Sequence, residues 1–327
     1  MSDSMSRRER SAGIDMLRGL LVLGVIAGHC AELIERDSFV TWLGTGVRMP
    51  LFLGLSGYLF NLERARAAPL VTLLRRYWPR LILPWLIATM TYLAIAKRLD
   101  VWALALMIVR PAYHLWFVPV MLAFMCIAAA TRRSPEVLFG WAILPSIAAM
   151  YWLGIGHGQD YPVWLPDRRF LIYPVFFFYG LWIAQRPRDA RRVRAAIGLA
   201  VIGALWWGAL HGTHDLAGEV AALLLWGLSL IYLLPDVRVW GGPFPALASV
   251  GRDSLFYYLW HPLAFTAWVA WDWRGWSLLL PSIMTLIVAR TLLSLRPQLA
   301  SLAGLETRGG DRPGLNAPVG EAIRGAS

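Results

Sequence analysis

Charge is what this chain has least of: Asp, Glu, Lys and Arg together make up 16% of its 327 residues, against 58% hydrophobic ones. Soluble domains carry roughly a quarter charged residues, so an ordinary water-soluble fold is excluded. Cysteine is also scarce. The two present, Cys30 and Cys126, both fall inside apolar runs, which excludes a disulfide framework and leaves the redox compartment unreadable. Acidic residues are outnumbered, 20 to 31, for a net charge of +11. In a soluble protein that excess would suggest nucleic acid. Here it sits in short loops between apolar runs, where it reads as membrane topology, so no nucleic-acid partner is expected.

What the chain does have is apolar length. Several runs approach the ~20 residues that a spanning helix needs. Backbone polar groups in lipid must pair within their own segment, so the fold class is all-α, a polytopic membrane protein. Ten spans are predicted, near residues 14–34, 43–62, 78–96, 114–131, 136–154, 169–185, 195–211, 216–234, 248–270 and 276–295. The basic run at the N-terminus precedes no small-residue cleavage site, so the first span is expected to stay in the mature protein. Residues 1–13 form a cytoplasmic segment, 14–296 the membrane domain, and 297–327, rich in Gly, Pro and Arg, a disordered cytoplasmic tail. With the N-terminus inside, the Lys and Arg residues left outside are Arg36, Arg48, Lys97, Arg98, Arg110, Arg168, Arg169 and Arg274. The bias places both termini in the cytoplasm.

The stretch IDMLRGLLVLGVIAGHCAEL, residues 14–33, carries the first chemical signal. Asp15, Arg18, His29 and Glu32 lie in a segment where each ionisable group costs about 2.5–3.5 kcal/mol to insert. Arg18 and His29 project only about 20° apart on a helical wheel and lie roughly 16 Å apart along the axis. Glu32 sits one turn beyond His29, within reach of its ring. The plain alternative makes Arg18 a cytoplasmic flank and His29 a helix–helix hydrogen-bonding group. Cys30 projects about 100° from His29 and reads as a small packing residue rather than a nucleophile.

The loop ERARAAPLVTLLRRYWPR, residues 63–80, is the most informative one on the inner side. Its arginines suit either anionic lipid or an anionic ligand, because guanidinium matches phosphate bidentately. Two histidines and an aspartate meet in HGTHD, residues 211–215, but a solvated turn is expected there and no metal site.

Four stretches together resemble the integral-membrane acyltransferase family 3, bacterial enzymes that O-acylate cell-surface glycans. They are IDMLRGLLVLGVIAGH, with an Arg and then a His eleven positions on; MPLFLGLSGYLF at 49–60; HLWFVPVML at 114–122; and GRDSLFYYLWHPL at 251–263. That family tends to show Arg-x-x-Arg and then Pro at the third span. Here Arg76 and Arg80 stand four apart with Pro79 between them.

The resemblance implies an enzyme of the bacterial inner (plasma) membrane. It would move an acyl group, most simply acetyl, from cytoplasmic acyl-coenzyme A to a hydroxyl of a cell-surface or lipid-linked carbohydrate. It implies His29 as catalytic histidine and Arg18 in the same motif, and acyl-coenzyme A as a donor substrate with no tightly bound cofactor. Arg76 and Arg80, with Arg18, are the expected donor-binding residues. Neutral imidazole suits a general base near pH 7, and Glu32 is the local group to orient it. Supporting roles, including donors to a tetrahedral oxyanion, fall to Asp15, Ser56, Tyr58, His114, Trp116, Ser254, Tyr258 and His261. The alternative class is a transporter or flippase of an acyl donor or lipid-linked glycan, whose path intramembrane Arg and His would line equally well. The inverted repeats and paired broken helices common in transporters are not visible in the sequence.

The charge count carries a test. Reporter fusions at the C-terminal tail and within residues 155–168 are expected to report opposite sides of the membrane, and both on one side would overturn the ten-span arrangement.

Overall fold

A computed structural model describes residues 11–34, 38–155, 165–187 and 189–306. The elements are helical from end to end, with no strand among the described residues. In order they are α1 (Ala12–Ile34), α2 (Phe39–Leu59), α3 (Leu62–Arg66) and α4 (Leu70–Tyr77), then a π turn (Trp78–Ile82) leading into α5 (Leu83–Ile95). The short α6 (Val101–Leu106) precedes α7 (Phe117–Ala130), α8 (Pro135–Leu153), α9 (Arg169–Ile172) and α10 (Pro174–Ile183). There follow α11 (Ala190–Ala209), α12 (Leu216–Tyr232), α13 (Leu234–Val239), α14 (Pro245–Arg252), α15 (Ser254–Val269), α16 (Leu279–Ser294) and α17 (Pro297–Leu302).

Each of the ten expected spans coincides with helix, but only six helical stretches are both long and apolar enough to cross a membrane: 12–34, 70–95, 135–153, 190–209, 216–239 and 275–294. The other four have local causes. α2 carries Arg48 and several small polar residues, α7 is short, α10 is cut from α9 at Pro174, and α15 starts late because the chain breaks at Asp253. The multi-pass character is clear on the outside of the bundle as well. Leu144, Leu205, Leu280 and Leu292 stand 61–76% exposed, as side chains facing lipid do.

Small residues set the packing. A Cβ on Gly19 would run into the backbone of Leu247, and one on Gly251 into the backbone of Asp15, so α1 and α14 meet main chain to main chain. Gly57 against Phe177 and Gly180 against Gly54 do the same for α2 and α10. Lipid tails are as apolar as leucine, so such close approach, rather than hydrophobic burial, drives helix association in a bilayer. A different device joins α2 to α11. The indoles of Trp42 and Trp207 stack at 4.3 Å and 4°, and each donates its N–H to the other's backbone carbonyl, at 2.8 and 3.0 Å.

The π turn follows from two prolines. Pro79 and Pro84 lack the N–H that an α-helix would use, and the chain accommodates this with the wider i→i+5 turn, closed by the Leu83 N–H on the Trp78 carbonyl.

Residues 297–306 are not part of a loose tail. α17 packs back on the bundle, the Trp260 indole donates to the Ala303 carbonyl at 2.9 Å, and Asp253 accepts from the Glu306 N–H at 3.2 Å. Ala300 of α17 and Leu305 just beyond it are the side chains buried in that contact. The 307–327 part of the expected tail lies outside the described residues.

The paired indoles give the next expectation. Trp207 is wholly buried, and Trp207→Ala should lower stability by about 3–5 kcal/mol, read as a falling Tm in detergent. Trp206→Ala, at a side chain 41% exposed, should leave the Tm unchanged.

Candidate active site

Three imidazoles from three distant parts of the chain meet inside the bundle. His29 is on α1, His114 lies in the irregular segment before α7, and His261 is in the middle of α15. The ring centroids of His29 and His261 are 5.2 Å apart at 20°, those of His114 and His261 4.9 Å, and those of His29 and His114 6.1 Å. His261 is wholly buried and His114 nearly so, whereas the His29 side chain keeps 31% of its surface open.

Each ring's tautomer follows from its partner. His29 Nδ1 lies 2.7 Å from Glu32 Oε2, the i,i+3 contact that the spacing predicts. A carboxylate only accepts, so Nδ1 carries the hydrogen, and in the neutral ring Nε2 then presents the lone pair. His114 Nε2 faces the Tyr258 carbonyl at 3.1 Å and must donate to it. His261 Nδ1 likewise donates to the carbonyls of Tyr257 and Tyr258, at 3.1 and 3.0 Å. His29 is thus the least buried of the three rings, while the Nε2 of His261 is buried without a hydrogen-bond partner among the described residues.

The neighbours hold this arrangement by backbone bonds. The Tyr258 hydroxyl donates to the His114 carbonyl and accepts from the Phe117 N–H at 3.2 Å. The Trp85 indole donates to the Leu115 carbonyl at 2.9 Å and the Tyr92 hydroxyl to the Leu259 carbonyl at 2.8 Å. α5 and α15 therefore grip the segment on which His114 rides. Tyr258, His114 and His261 are brought to the cluster as the sequence implied, but their hydrogens are engaged with main chain. Ser56 is similar, its hydroxyl bonded to the Phe52 carbonyl of its own helix at 2.9 Å.

The remaining expected residues lie elsewhere. Ser254 opens α15, roughly 10 Å along the axis from His261. Tyr58 is buried in the core near the far end of α2. Trp116 stacks on Tyr173 at 5.4 Å and carries the Arg169 guanidinium 4.7 Å from its ring centre, while Arg169 pairs with buried Asp167 at 2.9 Å. Cys30 is fully buried with its thiol 3.7 Å from the Gly275 carbonyl, consistent with a packing residue.

The expected donor residues divide into two groups. Arg76 and Arg80 are exposed on α4 and the π turn, and the charges acting on Arg76 are Arg80 and Arg64. Among the described residues none of these three has an acidic partner, which leaves a cationic cluster open to an anion. Arg18 stands apart, 3.8 Å from buried Asp15. The His211 turn packs on Phe39 and Trp42, and among the described residues no set of three or more His, Cys, Asp or Glu is placed to hold a metal ion.

Arg48, counted on the outer side and inside the expected span 43–62, lies within α2 and is 8% exposed. Its Nη1 donates to the Gly24 carbonyl of α1 at 3.1 Å, and Glu32 is the carboxylate whose charge acts on it. Glycines at 24, 28 and 44 border its side chain, and an arginine within an apolar run among glycines was the available signal.

The elements form an α-helical bundle of membrane-spanning type, with a carboxylate-bonded histidine at its centre and exposed arginines on α3, α4 and the π turn. A family model, the acyltransferase domain, matches residues 11–295, nearly the whole described chain, and the chain belongs to this acyltransferase 3 family. No curated protein and no solved structure matches it significantly.

Tyr258 offers a test of the scaffold. Tyr258→Phe removes both bonds that hold the His114 segment, and should lower stability by about 1–3 kcal/mol. In thermal melts Tyr257→Phe, whose hydroxyl takes no part in those bonds, should cost less.

Proposed function

We propose that this protein is an O-acyltransferase that takes an acyl group, most simply acetyl, from acyl-coenzyme A and transfers it to a hydroxyl of a cell-surface or lipid-linked carbohydrate. Membership of the acyltransferase family supports the reaction type. The single observation that carries the mechanism is the 2.7 Å bond between His29 Nδ1 and Glu32, which leaves Nε2 as the nitrogen for the base in the neutral ring.

In this reading His29 Nε2 takes the proton as the acceptor oxygen attacks the thioester carbonyl. The C–S bond breaks as the tetrahedral intermediate collapses, and the departing thiolate recovers the proton from His29. Glu32 holds the ring and stabilises its charged form, as the acid does in other carboxylate–imidazole pairs. The nucleotide phosphates of the donor sit on Arg64, Arg76 and Arg80 on the cytoplasmic side of a bacterial inner membrane, where guanidinium gives charge-assisted bonds. Arg18, one face with His29 and nearer that side, lines the route of the pantetheine arm. Direct transfer is favoured over an acyl-cysteine because the Cys30 thiol is sealed in the core.

Purified protein with acyl-coenzyme A and an accepted sugar tests this. His29→Ala should lose at least about 100-fold in turnover with donor binding and Tm intact, while Cys30→Ser stays active. Arg76→Ala or Arg80→Ala should weaken donor binding by about 1.5–3 kcal/mol. Near-normal turnover in well-folded His29→Ala would end the proposed mechanism.

A further inference from the structure

A guanidinium inside a membrane bundle needs a reason. Arg48 enters the space between α1 and α2 through a slot made of glycine. A Cβ on Gly28 of α1 would collide with its Nη1, and one on Gly44 of α2 would come within 2.6 Å of its Nε. Gly24 flanks the stem, 3.7 Å from the Arg48 side-chain carbons, and supplies the carbonyl that Nη1 bonds. Three glycines on two helices therefore make room for one cation. Desolvating that cation is costly unless an opposite charge offsets it. The guanidinium occupies the Cβ position of Gly28, one helical turn from Glu32 on the same face of α1, and Glu32 is the carboxylate that holds His29.

We propose that Arg48 is a positioning residue for acyl transfer: its buried charge keeps Glu32 an ionised acceptor, and so keeps His29 the neutral, Nδ1-protonated base. This rests on His29 being the base in the function proposed above. The argument is electrostatic. A fixed cation beside an imidazole–carboxylate pair disfavours a proton on either member. The pair then stays as neutral imidazole and carboxylate, the state in which Nε2 has a free lone pair.

The other titratable and charged groups facing the pair do not replace it. His114 and His261, from the α7 approach and from α15, are bound to carbonyls through one nitrogen each. Near the start of α10, Tyr173 is stacked on Trp116, Arg169 is matched by Asp167 at 2.9 Å, and Arg168 donates to the Leu153 carbonyl at 3.0 Å. On α14 to α16, Asp253 is paired with Arg290 at 2.7 Å.

The test is the pH dependence of turnover in purified Arg48→Gln and Arg48→Lys proteins, each with a melting curve. In Arg48→Gln, kcat at neutral pH should fall about tenfold or more, and the acid limb of the profile should move about one unit to higher pH. The donor KM should change by no more than about twofold, since the charge acts on the base and not on the donor. Arg48→Lys keeps the charge and should restore the limb. Placed in a Glu32→Gln background, Arg48→Gln should add little, because the two act through one group. A slot-filling arginine would behave otherwise. An unmoved acid limb, equal loss in both Arg48 variants, or full additivity with Glu32→Gln would each overturn the proposal. No transfer by the unaltered protein would instead overturn the acyltransferase reading on which it rests.

Discussion

Everything at the centre of this bundle depends on one hydrogen bond made where water is scarce, between His29 and Glu32 of the same helix. In water such a contact would be one of many exchangeable partners. Within a bundle each polar atom must be answered by another protein group, and the answer fixes which nitrogen carries the hydrogen. The same requirement extends outward. His114 and His261 each give a hydrogen to main-chain carbonyls of α15, and Tyr258 returns one to the backbone at His114. The result is a polar core whose rings cannot reorient independently, with one basic nitrogen left at its open edge.

Close helix packing makes that core affordable in space. α1 lies against α14 through Gly19 and Gly251, and against α2 through the glycine slot that holds Arg48. These contacts bring the ends of the chain together around the first helix, so that residues more than two hundred positions apart, His29 and His261, become neighbours. The arginines Arg64, Arg76 and Arg80 are placed differently, on α3, on α4 and on the proline-induced π turn ahead of α5. A rigid polar centre and an open charged mouth are what a two-substrate transfer would need.

How much of this was legible in the sequence differs from element to element. The 3.6-residue repeat fixed the His29–Glu32 contact in advance, because both residues lie on one helix and local geometry decides it. Motif resemblance brought His114, Tyr258 and His261 into consideration. It did not reveal that their hydrogens are engaged with carbonyls, since that depends on how three segments cross. How Arg48 is held was hidden for a related reason: a rule based on loop charge has no means of recognising a cation accommodated by glycines on a neighbouring helix. Residues 297–306, expected as part of a loose tail, instead include the short α17, which composition dominated by the Gly- and Pro-rich stretch further on did not suggest. Six rather than ten helices meet the length and hydropathy of a span for the same kind of reason, polar residues and breaks placed where function and packing meet.

The central claim is that His29 stands with its hydrogen on Nδ1 and its lone pair on Nε2. Nitrogen NMR of the purified protein, labelled at histidine and assigned with a His29→Gln variant, tests it directly. The account predicts a protonated Nδ1 and an unprotonated Nε2 for His29 at neutral pH, with the Nδ1 signal shifting when Glu32 is changed to Gln. A His29 ring protonated on Nε2, or one indifferent to Glu32, would contradict it.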